Sequence, residues 1–268
     1  MNKEDLVSVI MPTYNAGKYL ADSMNSILNQ TYKNLELLIT DDASTDPTTL
    51  QLLKEYASKD ERVNILYLKE NHGAGYARNK SIERAKGRYI AFCDSDDRWT
   101  TDKLEKQIAF MNKKKCALSC ASYIIFDGET QDEIGFCTAP KKITYGMMKR
   151  DNKVGCLTAI YDVQMLGRKF FMPTIRKRQD WALFLQIIRE CKVCYAYPEK
   201  PLAYYCMRRN SISSNKMSLM KYNIAVYKEI LGFHPIKANL YFFTLFLPTY
   251  GAKILKRKFD SYTFTHQK

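Results

Sequence analysis

Residues 94–97, Asp-Ser-Asp-Asp, bring three carboxylates to the end of a short apolar run, Tyr89 to Phe92. Like charges this close repel and raise one another's pKa, a conflict that a bound divalent cation removes. Asp94 and Asp96 are two apart, so an extended backbone aims both to one side. Oxygen ligands of this kind suit Mg²⁺ or Mn²⁺, which keep several waters and share phosphate oxygens with a substrate. The plainer alternative is a solvated acidic turn that caps the next helix. The elements around the cluster decide between the two.

Val7 to Met11 reads as a buried strand that ends in Pro12-Thr13-Tyr14-Asn15. Leu20, Met24, Ile27 and Leu28 then share one helical face. Leu35 to Thr40 predicts a second strand, ending in Asp41-Asp42. Asp46-Pro47 is an N-cap and first-turn pair for a helix with Leu50, Leu53 and Tyr56. Val63 to Leu68 gives a third strand, followed by the turn Asn71-His-Gly73-Ala-Gly75 and a helix over 76–86. The acidic strand at 89–93 comes next. This alternation predicts an α/β fold with a mostly parallel sheet and helices on both faces. Ligands of such sheets bind beyond the carboxyl ends of the strands, where Tyr14, Asp42, Arg78 and Asp94 to Asp97 all fall.

Farther on, Ala117 to Phe126 reads as one long strand, 127–155 as loops with an edge hairpin, and Leu157 to Tyr161 as a return to the sheet. A helix opens near Gln179-Asp180-Trp181, with Asp180 in its first turn, where helix capping alone would also place a carboxylate. Val193 to Tyr197 and Leu202 to Met207 read as strands, and Arg208 to Ser213 as a basic loop. Lys237 and Lys253 bracket fifteen uncharged residues interrupted by Pro248. That run is shorter than the roughly 20 residues needed to span a bilayer. Rich in aromatics and flanked by Lys256, Arg257 and Lys258, it reads either as an anchor lying in the headgroup region or as a helix packed on the main domain.

Composition narrows the function. Of 268 residues, 46% are hydrophobic, enough for one large α/β domain with an appendage. The net charge of +14 is uneven: residues 1–100 carry −2, 101–200 carry +7 and 201–268 carry +9. A basic tail on a near-neutral first part argues for an anionic surface and against nucleic acid as the partner. Eight cysteines include one C-x-x-C, Cys191 to Cys194, with no second pair and no nearby histidine in sequence, so reduced thiols fit better than zinc. The polar start, with no signal-peptide pattern, fits a cytoplasmic location. The turn after the first strand lacks the glycines of a dinucleotide fold, and no P-loop is present. A non-catalytic basic module that binds membrane or nucleic acid remains the alternative from another class.

The motifs Val7-Ser-Val-Ile-Met-Pro-Thr-Tyr-Asn15, Asp41-Asp-Ala-Ser-Thr-Asp46, Asn71-x-Gly-x-x-x-Ala-Arg-Asn79 and Asp94-Ser-Asp-Asp-Arg-Trp99 resemble, in order and spacing, the inverting family 2 glycosyltransferases of GT-A fold. The resemblance runs through residues 6–126 and more loosely through Gln179-Asp180-Trp181 and Leu202 to Ser213. It implies a transferase domain over 1–215, with 1–115 for the nucleotide sugar and 116–215 for the acceptor, and an amphipathic basic tail over 216–268. Pro12, Thr13, Tyr14, Asn15, Asp41, Asp42, Gly73, Arg78, Asp94, Ser95 and Asp96 would surround the donor, with Tyr14 stacking on the base, Asp42 accepting from it and Asp94 bonding the ribose. Asp96 and Asp97 would ligate Mg²⁺ or Mn²⁺, and Asp180 would be the catalytic base, in a Gln-Asp pair where many members have Glu-Asp. The implied donor is a UDP-sugar. The implied acceptor is a saccharide or lipid-linked saccharide of cell-surface polysaccharide assembly, such as lipopolysaccharide, reached by an enzyme peripheral on the inner face of the cell membrane.

Overall fold

The computed structural model describes residues 5–208 and 216–266. Its first half alternates strictly: β1 (Val7–Thr13), α1 (Gly17–Leu28), β2 (Leu35–Asp41), α2 (Pro47–Lys59), β3 (Val63–Tyr67), α3 (Ala74–Arg84) and β4 (Tyr89–Phe92). The period-2 pattern of the strands sends alternate residues to two cores. Ile10, Leu38, Ile90 and Phe92 pack with Ile82 of α3 on one face. Val9, Met11, Leu37, Ile39 and Ala91 pack with Leu20, Met24 and Leu53 of α1 and α2 on the other. Asp46 caps α2 as its sequence predicts, accepting from Thr49 N–H at 2.9 Å with Pro47 in the first turn.

The second half is more mixed. It comprises β5 (Arg98–Trp99), α4 (Lys103–Lys114), β6 (Leu118–Ala121), β7 (Tyr123–Asp127), β8 (Glu133–Cys137), β9 (Lys142–Thr144), α5 (Tyr145–Arg150), β10 (Ile160–Asp162), α6 (Val163–Leu166), α7 (Gln179–Cys191), β11 (Val193–Tyr197) and β12 (Ala203–Met207). The main sheet has the order β3-β2-β1-β4-β10-β6-β11-β9, and a smaller sheet the order β5-β12-β7-β8. β1 to β4 are parallel, whereas β10 runs antiparallel to both β4 and β6. The expected single strand over 117–126 is therefore two strands in two sheets. Ser122 makes the break, its carbonyl accepting from Leu202 N–H at 3.1 Å and its hydroxyl from Ala139 N–H at 3.0 Å.

The tail is helical: α8 (Lys216–Ala225), a π-helical turn at Val226–Ile230, α9 (Pro235–Tyr241), a second π-helical turn at Phe242–Phe246 and α10 (Leu247–His266). Pro248 has no N–H for the carbonyl of Thr244, and its ring crowds that carbonyl. The widened turn just before it accommodates both effects. Tyr227, Phe242 and Phe246 are buried in the same core as Trp181, whose ring meets Tyr227 edge-on at 5.7 Å. α10 also covers the edge strand β8, where Phe136 N–H donates to Ser261 Oγ at 3.0 Å. Of the two expectations for the tail, packing on the domain is thus realised by its inward face. No helix among the described residues is long and apolar enough to cross a membrane.

Candidate active site

Strand register brings the predicted residues to one rim. Thr13 is paired with Asp41 and Ile10 with Phe92, so Tyr14, Asp42 and Asp94 leave the sheet together at its carboxyl edge. Tyr14 is 51% exposed there, a ring free to stack on a base. Thr13 is buried, and its hydroxyl has no hydrogen-bond partner. Asn15 takes a left-handed backbone (φ 47°) and accepts from Thr45 and Asp46 N–H at 2.9 and 3.0 Å, tying the tips of β1 and β2 together.

The paired carboxylates after β2 are used by their own loops. Asp41 accepts from the Ser44 hydroxyl at 2.5 Å and its N–H at 3.0 Å. Asp42 accepts from His72 and Gly73 N–H at 2.9 and 2.7 Å, which fixes the turn before α3. An ionised carboxylate has about four acceptor positions, so Asp42 keeps capacity toward a ligand. Gly73 sits at φ 90°, a backbone that favours glycine, and opens α3 toward the rim.

The acidic loop receives its positive charge from the protein itself. Arg78 Nη2 bonds Asp94 Oδ1 at 2.5 Å, and Arg208 Nη2 lies 2.5 Å from Asp96 Oδ2. Burial works against the charge on Arg78, but Asp94 more than offsets it and the guanidinium pKa rises. Arg78 Nε is buried with no partner. Burial, followed by the neighbouring Asp94, raises the pKa of Asp96. Asp97, expected beside Asp96 as a metal ligand, is instead buried and accepts from Cys206 N–H at 2.9 Å, so it fastens the loop to β12. Burial, then Asp96 and Asp94, pushes its carboxyl well up. Ser95 lies half-buried between Asp94 and Asp96, and Pro12 is buried in β1.

No group of three or more His, Cys, Asp or Glu side chains among the described residues is arranged to hold a metal ion. A divalent cation here would rest on Asp96 and on phosphate oxygens of a ligand, the mode usual for Mg²⁺. The hard oxygens of Asp96 suit such an ion, but Arg208 already lies 2.5 Å from Oδ2, so a cation there would have to share the carboxylate with that guanidinium or displace it.

Asp180 stands in the first turn of α7, after Arg178 in a left-handed backbone (φ 68°) held by its side-chain bond to Asn223 at 2.8 Å. Asn152 donates to Asp180 Oδ2 at 2.8 Å. The Gln179 side chain lies over Gly75, leaving no room there for a Cβ. Sequence reasoning found the carboxylates but not the partnerships of Arg208 and Asn152. The basic loop beginning at Arg208 was a signal for the first; residues 209–213 of that loop lie outside the described residues. All eight cysteines are free.

The description "Glycosyl transferase family 2" matches residues 8–171. The chain is 44% identical over 240 residues, 89% of it and 93% of the relative, to a putative teichuronic acid biosynthesis glycosyltransferase, TuaG, of Bacillus subtilis. It is 38% identical over 216 residues, 81% and 83% of the two chains, to WfgD of Escherichia coli, a UDP-Glc:alpha-D-GlcNAc-diphosphoundecaprenol beta-1,3-glucosyltransferase. Among solved structures, Staphylococcus aureus TarS 1–349 aligns with TM-score 0.68 at 21% identity over 92% of this chain and 72% of that one. The mannosyltransferase PcManGT of Pyrobaculum calidifontis, in complex with GDP-Man and Mn²⁺, aligns with TM-score 0.64 at 16% identity over 95% and 75%. The fold, a mixed central sheet flanked by helices with a C-terminal helix, resembles that of the GT-A glycosyltransferases.

Proposed function

Because this chain belongs to glycosyl transferase family 2, we propose that it is an inverting transferase that moves a sugar from a UDP-sugar to a hydroxyl of a lipid-linked saccharide in cell-surface polysaccharide assembly. What supports the reading is a rim that carries Tyr14, the Arg78–Asp94 pair and the Arg208–Asp96 pair, with the Gln179 side chain against Gly75 bringing the first turn of α7, and with it Asp180, alongside. TarS crystallised with UDP-GlcNAc supports the donor class, and the diphosphoundecaprenol acceptor in the name of WfgD supports the acceptor class.

Each residue then has a task. Tyr14 stacks on the base, with the Thr13 hydroxyl free to bond it. Asp94 meets the ribose. Arg78 and Arg208 face the diphosphate, whose negative charge grows as the bond to the sugar C1 breaks. A Mg²⁺ or Mn²⁺ ion held by Asp96 would supply further neutralisation of that charge when bound. The acceptor oxygen attacks C1 from the side opposite the leaving diphosphate, and its proton passes to Asp180. General-base help of this kind is worth roughly 10²–10⁴-fold.

The outward face of the tail supplies the membrane contact. Ile236, Leu240, Phe243 and Leu247 are exposed at spacings of four, three and four, while Ala238, Phe242 and Phe246 point inward. Leu255, Phe259 and Tyr262 are also exposed, beside Lys256, Arg257 and Lys258. An apolar helical face with cations alongside suits the headgroup layer of an anionic bilayer, the cytoplasmic leaflet from which a lipid-linked acceptor would be presented. Assay of a panel of nucleotide sugars for metal-dependent turnover onto a diphosphate-linked lipid saccharide tests the reading. Donor hydrolysis or transfer with a UDP-sugar is expected, and indifference to every nucleotide sugar would refute it.

A further inference from the structure

The Asp180 carboxylate is held from a distance by the tail. Asn152 Nδ2 donates to Asp180 Oδ2 at 2.8 Å, while Asn152 Oδ1 accepts from Val154 N–H at 3.1 Å, so both ends of the amide are committed and its orientation is fixed. Among the described residues, Asn152 is the one side chain that hydrogen-bonds Asp180. The backbone carbonyl of Asn152 accepts from Lys253 Nζ of α10 at 2.6 Å, and the same ammonium lies 3.0 Å from Asp151, which is 3% exposed. Two more contacts clamp the segment: Trp181 Nε1 donates to Met148 O at 2.7 Å, and Tyr227 OH to Lys149 O at 2.9 Å.

We propose that Asn152 is a positioning residue for the base and that the C-terminal tail, through Lys253, sets it. The inference rests on the assignment of Asp180 as base made above. An inverting transfer needs a carboxylate oxygen aimed along the acceptor O–H, and a base fixed through its other oxygen keeps that aim. Asn152 provides the fixed end. Lys253 anchors Asn152 from the backbone side, so the helix that carries the outward apolar face is also the helix that supports the base.

The test compares Asn152→Ala, the isosteric Asn152→Asp, Lys253→Met and Lys253→Arg with the parent, each alone and the first also combined with Asp180→Asn. Turnover number and KM are measured with a UDP-sugar, together with the rise in melting midpoint caused by UDP and Mn²⁺. Asn152→Ala and Asn152→Asp are expected to lose roughly 10- to 100-fold in kcat with donor KM and the UDP-induced rise unchanged. Lys253→Met is expected to lose less and Lys253→Arg, which keeps a donor, to recover. Asn152→Ala should cost nothing further once Asp180 is Asn. Wild-type kcat in both Asn152 variants beside an inactive Asp180→Asn overturns the positioning role and leaves the base assignment standing. Full turnover in Asp180→Asn overturns the base assignment and this inference with it.

Discussion

Arg208 at the end of β12 reaches across to Asp96 in the loop after β4, Nη2 to Oδ2 at 2.5 Å, and supplies the positive charge that three crowded carboxylates demand. A metal-bound diphosphate brought to Asp96 would have to share that carboxylate with Arg208. UDP with Mn²⁺ is therefore expected to raise the melting midpoint, by the equivalent of about 2.7 kcal/mol at a hundredfold excess over Kd. Chelation of the metal should remove most of that rise, and so should Asp96→Asn. A rise that survives both treatments would take Asp96 out of metal binding. No rise in the parent protein would favour the non-catalytic basic module.

Lys103 offers a pH test that is independent of substrate. Its ammonium is fully buried with no hydrogen-bond partner and lies 4.0 Å from the centre of the Trp99 ring. Burial lowers its pKa to about 7, against an unfolded value near 10.4. Between those values the unfolded chain holds a proton that the folded chain has lost, so this residue's cost to stability is largest near and below pH 7 and fades toward pH 10. Lys103→Met, similar in volume, should be more stable than the parent at pH 7 by roughly 4 kcal/mol, the free energy of a pKa lowered by about three. The gap should close as pH rises through 10. A gap that is constant with pH, measured by urea unfolding, would mean that the ammonium stays charged on the Trp99 face.

Much of the fold was legible because its first half obeys local rules. Alternating apolar residues in β1, β2 and β4, the helical spacing of Leu20 to Leu28 and the Asp46–Pro47 cap each act over a few residues. The break at Ser122 was not legible, since Ala117 to Phe126 is apolar almost throughout and the change of sheet depends on Leu202 and Ala139 far along the chain. The carboxylates of the site were visible as residues, but their partners were not. Asn152 stands in a stretch that reads as loop, and it meets Asp180 only because α5 and α7 pack together. The tail was ambiguous for a physical reason: both of its faces are apolar, so periodicity could not say which one the domain covers.

Gly75, in the first turn of α3, and Gln179, in the first turn of α7, make a tight pair. A Cβ on Gly75 would lie 2.3 Å from the end of the Gln179 side chain, which sits next to Asp180. That end is flexible and can swing away, and Ala is the better helix residue by roughly 0.8–1 kcal/mol. Gly75→Ala should therefore fold with nearly unchanged stability while displacing the Gln179 amide. With that amide displaced beside Asp180, turnover is expected to fall and KM for the acceptor to rise, and Gln179→Ala should reproduce the effect without further loss in the double variant. Unchanged kinetics in Gly75→Ala with an unchanged melting midpoint would show that the amide has no part in the reaction.

Phe243 and Phe246 test separately the packing of the tail and the membrane contact proposed for it. Phe246 is 2% exposed, with its ring 5.5 Å from Trp181, whereas Phe243 is 54% exposed. Phe246→Ala opens a cavity beside the helix that carries Asp180 and should cost about 3–5 kcal/mol, read as a lower urea midpoint and a loss of turnover. Phe243→Glu gives up only an edge-on ring contact with Phe242 at 5.2 Å and should change the unfolding midpoint little. It places a negative charge in the outward apolar face, however, so binding to vesicles containing anionic lipid should fall sharply in a flotation assay. Turnover on a lipid-embedded acceptor should fall with it, while turnover on a short soluble acceptor is retained. Equal vesicle binding by Phe243→Glu and the parent would leave the tail with its structural role alone.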